Sequence, residues 1–194
     1  MGDKSQQKKS YIVETARGVF ATKGYKEVTM KDIVEACDIS RGGLYLYFSS
    51  TKELFEEVLK LEQQDTGDEF AESMPEDAAP SDILALFLKE QKKELLSKKP
   101  SLTIAIYEYF FANKVPAKEN ILKQQFDAAV YIIEKLIEAG VETGEFYCEE
   151  PRRAASNIMY VLEGLKMASQ TRGVSEGAVD REIMYVMQGL VVEE

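Results

Sequence analysis

Residues 29–54 read TMKDIVEACDISRGGLYLYFSSTKEL, and the fold is decided there. Thr29 followed by Asp32 has the spacing of a near capping box. Its hydroxyl can accept an orphan backbone N–H, and the carboxylate suits the positive end of a helix. A helix is therefore expected from about residue 30. Met30, Ile33, Val34 and Cys37 recur at helical spacing and give it one apolar face. Asp38 stands where the chain must turn, with φ > 0, a conformation Asp tolerates better than most residues. Ile39 is the next buried anchor, and Ser40 caps a second helix. On that helix Leu44 and Phe48 face inward, leaving Arg41, Gly43, Tyr45 and Tyr47 for the outer surface. Ser50 and Glu53 make an S-x-x-E box, so a further helix begins behind them.

Two short helices joined by a tight turn, with a third behind, make a helix-turn-helix, and the partner expected is duplex DNA. Gly42 and Gly43 would each cost about 1 kcal/mol against alanine in a helix interior. Their presence asks for something that approaches the backbone closely, as base edges do at the first turn of a recognition helix. Arg41 can pair bidentately with guanine, and the hydroxyls of Tyr45 and Tyr47 suit phosphate or base contacts. The N–H groups of the helix after Ser50 can receive a phosphate. A glycine-weakened core helix with aromatic packing is the competing reading.

Gly24-Tyr25, Val28-Thr29, Asp32-Ile33, the run ISRGGLYLYFSS at 39–50 and Leu54-Phe55 resemble the DNA-binding domain of tetracycline-repressor-like (TetR) transcriptional regulators. The resemblance covers about residues 9–60. Two positions depart from the family pattern: Asp38 stands where the turn usually has Gly, and Thr51, followed by Lys52, where a Lys is usual. Motif and resemblance together give the expected DNA-binding residues as Thr29, Lys31, Ser40, Arg41, Gly42, Gly43, Tyr45, Tyr47, Ser50, Thr51 and Lys52. The implied architecture is all-α with about nine or ten helices. A three-helix DNA-binding domain occupies residues 1–50, and a larger helical ligand-binding and dimerisation domain occupies 51–194.

The charge distribution agrees with two partners of different kinds. The net charge is −10, yet residues 1–52 carry nine Lys/Arg against six Asp/Glu, and the remainder fifteen against twenty-eight. A polyanion would attract the first part and repel the second. The chain holds no histidine, which removes the usual general base and the commonest metal ligand. No catalytic constellation stands out, so neither an enzyme nor a cofactor or metal is expected. Cys37 and Cys148 lack metal-ligand spacing and read as reduced thiols, Cys37 as a buried one. The opening MGDKSQQKKS lacks the apolar stretch of a signal peptide, and no run of about 18 apolar residues occurs. A soluble cytoplasmic protein without a membrane partner is the expectation.

Outside the motif, residues 1–8 read as a polar, flexible arm, with Lys8 and Lys9 placed to touch phosphates. A first helix is expected from about Lys9 to Lys23, its inward stripe Ile12, Ala16, Val19 and Phe20 and its stop Gly24. The fourth runs from Ser50 to about Gln64. Residues 66–81 read as an acidic loop. Pro80, Pro100, Pro116 and Pro151 then punctuate helices at about 81–97, 100–112, 116–139 and 151–172, with a last one at 176–191.

Tyr107, Tyr109, Phe110 and Phe111 crowd one of these helices. An effector pocket is expected around Phe87, Gln91, Tyr107, Phe110, Phe111, Gln125, Phe126 and Ala129, mainly because the resemblance implies one, and its ligand should be largely apolar. Glu108 reads as an exposed edge, with a cationic ligand partner as the alternative. Ala155, Ile158, Met159, Leu162 and Leu165, with Ile183, Val186, Met187 and Leu190, form apolar stripes assigned to a two-fold dimer interface, against the alternative of an intramolecular core. The expected function is a homodimeric regulator, most simply a repressor, on a palindromic operator and released by a small molecule. The alternative is a helical small-molecule-binding protein without specific DNA affinity.

Overall fold

The computed structural model describes residues 2–65 and 78–190. Nine helices and no strand lie among the described residues. They are α1 (Gly2–Lys23), α2 (Met30–Cys37), α3 (Arg41–Tyr45), α4 (Thr51–Asp65), α5 (Pro80–Leu95), α6 (Thr103–Ala112), α7 (Ile121–Thr143), α8 (Pro151–Thr171) and α9 (Glu176–Gln188). The chain divides into two compact units: α1–α4 with α6, and α5 with α7–α9.

In the first unit the apolar stripes meet as the periodicity demands. Ile12, Ala16 and Phe20 of α1 are fully buried with Ile33 of α2, Leu44 of α3 and Leu54 of α4. An aromatic cluster closes the far side. Phe55 lies edge-on to Phe20 at 4.7 Å between ring centroids and packs against Tyr25 at 5.1 Å and Tyr109 at 5.4 Å. Tyr109 belongs to α6, so a helix distant in sequence completes the core of the N-terminal unit. The Tyr109 hydroxyl donates to Glu56 at 2.7 Å. Its neighbour Glu108 accepts the Lys26 backbone N–H at 3.0 Å. Glu108 is half-buried and bound to the turn after Gly24, so it is not the free edge expected from sequence. Gly24 itself is left-handed (φ 81), and a Cβ there would come within 2.7 Å of the Glu108 carboxylate.

In the second unit Leu84 and Leu88 of α5, Val130, Ile133 and Ile137 of α7, and Ile158 of α8 form the core. Gly140 lets Phe146 fold back over α7, since a Cβ there would lie 2.2 Å from the Phe146 ring. Four residues assigned from sequence to the dimer interface, Ala155, Ile158, Leu162 and Leu190, belong instead to this core, between 0% and 6% exposed. The stripe on α8 is satisfied within its own subunit, as a stripe of that width commonly is. Met159, Leu165, Ile183, Val186 and Met187 are only half-buried. Tyr160, Met184 and Tyr185 beside them are exposed.

Three expected helix starts move. α1 begins at Gly2 rather than Lys9, because Lys, Gln and Ser carry only small helix penalties and polarity does not stop a helix. Pro100 and Pro116 do not open helices; α6 starts at Thr103, and α7 starts behind Asn120, whose side chain accepts the Lys123 N–H at 3.1 Å. Pro80 and Pro151 do occupy first turns. The loop expected at 66–81 lies outside the described residues except at 78–81. No described helix is long and apolar enough to cross a membrane.

Candidate nucleic-acid interface

Local caps set the ends of α2 and the start of α3. Thr29 accepts the Asp32 N–H at 3.3 Å, and Asp32 accepts the Thr29 N–H at 2.8 Å, so the capping box closes in both directions. Asp38 ends α2 with φ 50 and ψ 48, the left-handed conformation usually left to glycine. Its N–H donates to the Glu35 carbonyl at 3.3 Å, and the Ile39 N–H donates to that of Val34. The helix end is thus satisfied without glycine. Ser40 then accepts the Gly43 N–H at 3.1 Å and starts α3.

Asp32 also accepts the Thr29 hydroxyl at 2.7 Å and the Lys23 ammonium. Donation by Lys23 first, then by the Thr29 hydroxyl and N–H, holds the carboxyl far below the usual carboxylate range. A group whose folded value is depressed contributes stability above its unfolded value, near 3.9, and loses it as pH falls toward the folded one. Thermal melts taken from pH 6 down to pH 2 are expected to fall less steeply for Asp32→Asn than for the parent, with the variant less stable at pH 6. Parallel curves would remove the charge from this account of the cap.

The face between the caps is open. Arg41 and Gly42 are exposed, and a Cβ at Gly42 would meet nothing within 4 Å. The Arg41 guanidinium lies over the Tyr45 ring at 5.5 Å, which holds both side chains on one side of α3. Tyr45 is 43% exposed, while Leu44 and Phe48 anchor the helix from behind. Gly43 and Tyr47 are less open than Arg41 and Gly42. Both are half-buried, and the Ser5 hydroxyl of α1 donates to that of Tyr47 at 3.4 Å. At the start of α4, Ser50 accepts the Glu53 N–H at 3.2 Å, but the Glu53 carboxylate takes the Ser49 N–H and hydroxyl instead of closing the box on Ser50. Thr51 is half-buried there; Lys52 and Lys31 are exposed, within 3.9 Å of Glu56 and 3.6 Å of Glu35.

Residues 12–58 match the bacterial regulatory proteins of the tetR family, and residues 83–180 match the tetracyclin repressor-like C-terminal domain. The chain belongs to the TetR family. Its members are non-enzymatic DNA-binding transcription factors, so this is a DNA-binding transcriptional regulator. The HTH-type regulator YfiR of Bacillus subtilis, itself uncharacterised, is 31% identical over 75% of this chain and 71% of its own length. QacR of Staphylococcus aureus is 22% identical over 87% and 89%. Among solved structures, a transcriptional regulator from Saccharomonospora viridis in complex with choline superposes with a TM-score of 0.84, covering 97% of this chain and 100% of that one at 19% identity.

The residues expected to hold an effector divide between the two units. Tyr107, Phe110 and Phe111 lie on α6; Tyr107 and Phe111 have ring centroids 6.3 Å apart, Phe111 is 79% exposed, and Phe110 packs edge-on against Tyr109. Phe87 and Phe126 pack against the core of the second unit, with Gln91, Gln125 and Ala129 half-buried beside them. A broad groove of about 700 Å³ opens elsewhere in that unit. Glu134, Glu150, Arg152, Arg153, Asn157 and Tyr160 are among its lining residues, none of which was expected from sequence. Arg152 pairs with Glu134 at 2.9 Å, and Tyr160 meets the Phe126 ring at 4.9 Å. A polar helix face gives no warning of such a concavity.

Proposed function

We propose that this TetR-family regulator is a cytoplasmic repressor that binds a palindromic operator as a homodimer and leaves it when a small molecule binds. One observation carries the DNA half of the reading: an exposed first turn of α3, opened by Gly42, bearing Arg41, and fixed from behind by Leu44 and Phe48. Such a turn can bring its backbone to base edges while Arg41 reads guanine. Thr29, Lys31, Ser40, Tyr45, Ser50, Thr51 and Lys52 stand as candidate contacts around it.

The dimer reading rests on what α8 and α9 leave uncovered. Tyr160, Met184 and Tyr185 are exposed, and Met159, Leu165, Ile183, Val186 and Met187 are only partly covered. A two-fold pairing there would bury them and set two heads on paired half-sites. For the effector, Phe87, Gln91, Gln125, Phe126 and Ala129 on α5 and α7 offer an apolar lining with a few amide groups. An effector releases DNA only if it binds the DNA-incompetent state more tightly, and a tenfold preference is worth about 1.4 kcal/mol.

Selection of bound fragments from random duplex DNA at physiological salt, with the protein's mass measured in solution, tests the reading. The expected result is a dimer that enriches an inverted repeat. Choline and a neutral apolar compound of similar size, added to the selected complex, then ask which chemistry releases it. A stable monomer with no preferred sequence would leave only the alternative, a helical ligand-binding protein without specific DNA affinity.

A further inference from the structure

The first turns of α1 overhang the rest of the N-terminal unit. Ile12, Ala16 and Phe20 lie on its buried face, and helical spacing continues that face outward through Lys8, Ser5 and Lys4. The stripe therefore changes from apolar to cationic as it passes the edge of the core. What it passes is α3. The Ser5 hydroxyl bonds to Tyr47, and the Lys8 ammonium lies 4.0 Å from where a Gly43 Cβ would stand. Gly43 lies within α3 and Tyr47 two residues past its end, so the first part of α1 runs beside the recognition helix and the turn that follows it.

Pairing separates the nine cations of residues 1–52 into two groups. Lys9 is bonded to Glu57 at 2.7 Å and lies over the Phe48 ring at 5.6 Å, which makes it a strut between α1 and α4. Arg17, Lys23, Lys31 and Lys52 each have a carboxylate within 4 Å. Lys4, Lys8, Lys26 and Arg41 have none among the described residues. Two of these four lie on the overhang, and a third opens the helix that the overhang flanks.

We infer that Lys4 and Lys8 form a second DNA-contacting element, a helical ridge that takes backbone phosphates beside those met by α3. The inference rests on the DNA-binding reading above and deepens it. Groups held in a helix meet particular phosphates; the flexible arm expected from sequence would meet many weakly. Lys9, the other arm residue singled out from sequence, is engaged inside the protein and takes no part. A duplex whose base edges meet Arg41 and Gly42 would run its flanking phosphates past Lys8, which stands beside Gly43, and the next turn carries Lys4 about 6 Å further along.

The test uses the full-length protein, a duplex selected from a random pool and an unrelated duplex of equal length. Affinity is measured from 50 to 300 mM salt. Each lost phosphate contact should lower the slope of log K against log salt by about 0.9. Lys8→Ala is expected to do so on both duplexes, Lys4→Ala plus Lys8→Ala to lower it by about twice that, and Lys9→Ala to leave the slope alone while lowering the melting temperature. Unchanged slopes for the Lys4 and Lys8 variants, with the parent binding its selected site normally, overturn the ridge and leave the regulator standing. Equal flattening by Lys9→Ala also overturns it, because the effect would then be one of net charge. A parent that selects no sequence overturns both.

Discussion

Phe55→Ala is expected to destabilise the N-terminal unit by about 3–5 kcal/mol, the usual cost of emptying a fully buried aromatic site. Phe55 is 0% exposed and touches Phe20, Tyr25 and Tyr109, so its removal strips one face from three other rings at once. Those rings come from α1, the turn after it, and α6. Phe20 and Tyr109 are themselves buried and cannot turn outward to fill the space without exposing apolar area. Folded domains hold roughly 5–15 kcal/mol in total, so a loss of this size takes a large share. Denaturant unfolding followed by tyrosine fluorescence should show the midpoint moving sharply downward. Phe55→Leu should recover part of the loss, since it restores apolar volume without the ring contacts. A loss of unfolding free energy below about 1 kcal/mol for the alanine variant would mean the cluster relaxes around the gap and does not hold the unit together.

That cluster marks where the sequence was legible and where it was not. The helix-turn-helix was readable because its signals are local. Thr29 and Asp32 cap over three residues, Asp38 turns within its own φ and ψ, and Ser40 reaches only to Gly43. Each of these is a short-range bond written in residue type and spacing. Tyr109 is different. Its aromatic neighbours on α6 suggest a ligand cavity, yet Tyr109 itself packs under the head, and its hydroxyl goes to Glu56, 53 residues away. Periodicity tells which face of a helix is apolar but not which other helix covers it. The same blindness sent Ala155, Ile158, Leu162 and Leu190 to a partner subunit when their own subunit buries them. The start of α1 was missed for another reason. A polar helix that projects past the core has no apolar stripe to announce it.

Arg41→Ala is expected to reduce the preference for the selected operator over random DNA by about 10- to 100-fold, the loss of one bidentate base contact worth about 1–3 kcal/mol. The side chain is exposed and stacked on Tyr45, and no carboxylate among the described residues lies within 4 Å to neutralise it. Prepositioning by the ring lowers the rotamer entropy lost when the guanidinium meets a base. Since it neutralises charge as well, the variant should also bind random DNA somewhat less tightly, and the two effects separate by measuring both duplexes at each salt concentration. Arg41→Lys sharpens the comparison. It keeps the charge but loses the planar fork, so binding to random DNA should recover while selectivity stays low. If Arg41→Lys restores both, or if Arg41→Ala weakens both duplexes equally, Arg41 is a phosphate anchor, and base reading must lie with the other exposed groups of α3. Tyr45 is then the residue to change next, because its hydroxyl shares the open face and its ring is freed by the loss of Arg41.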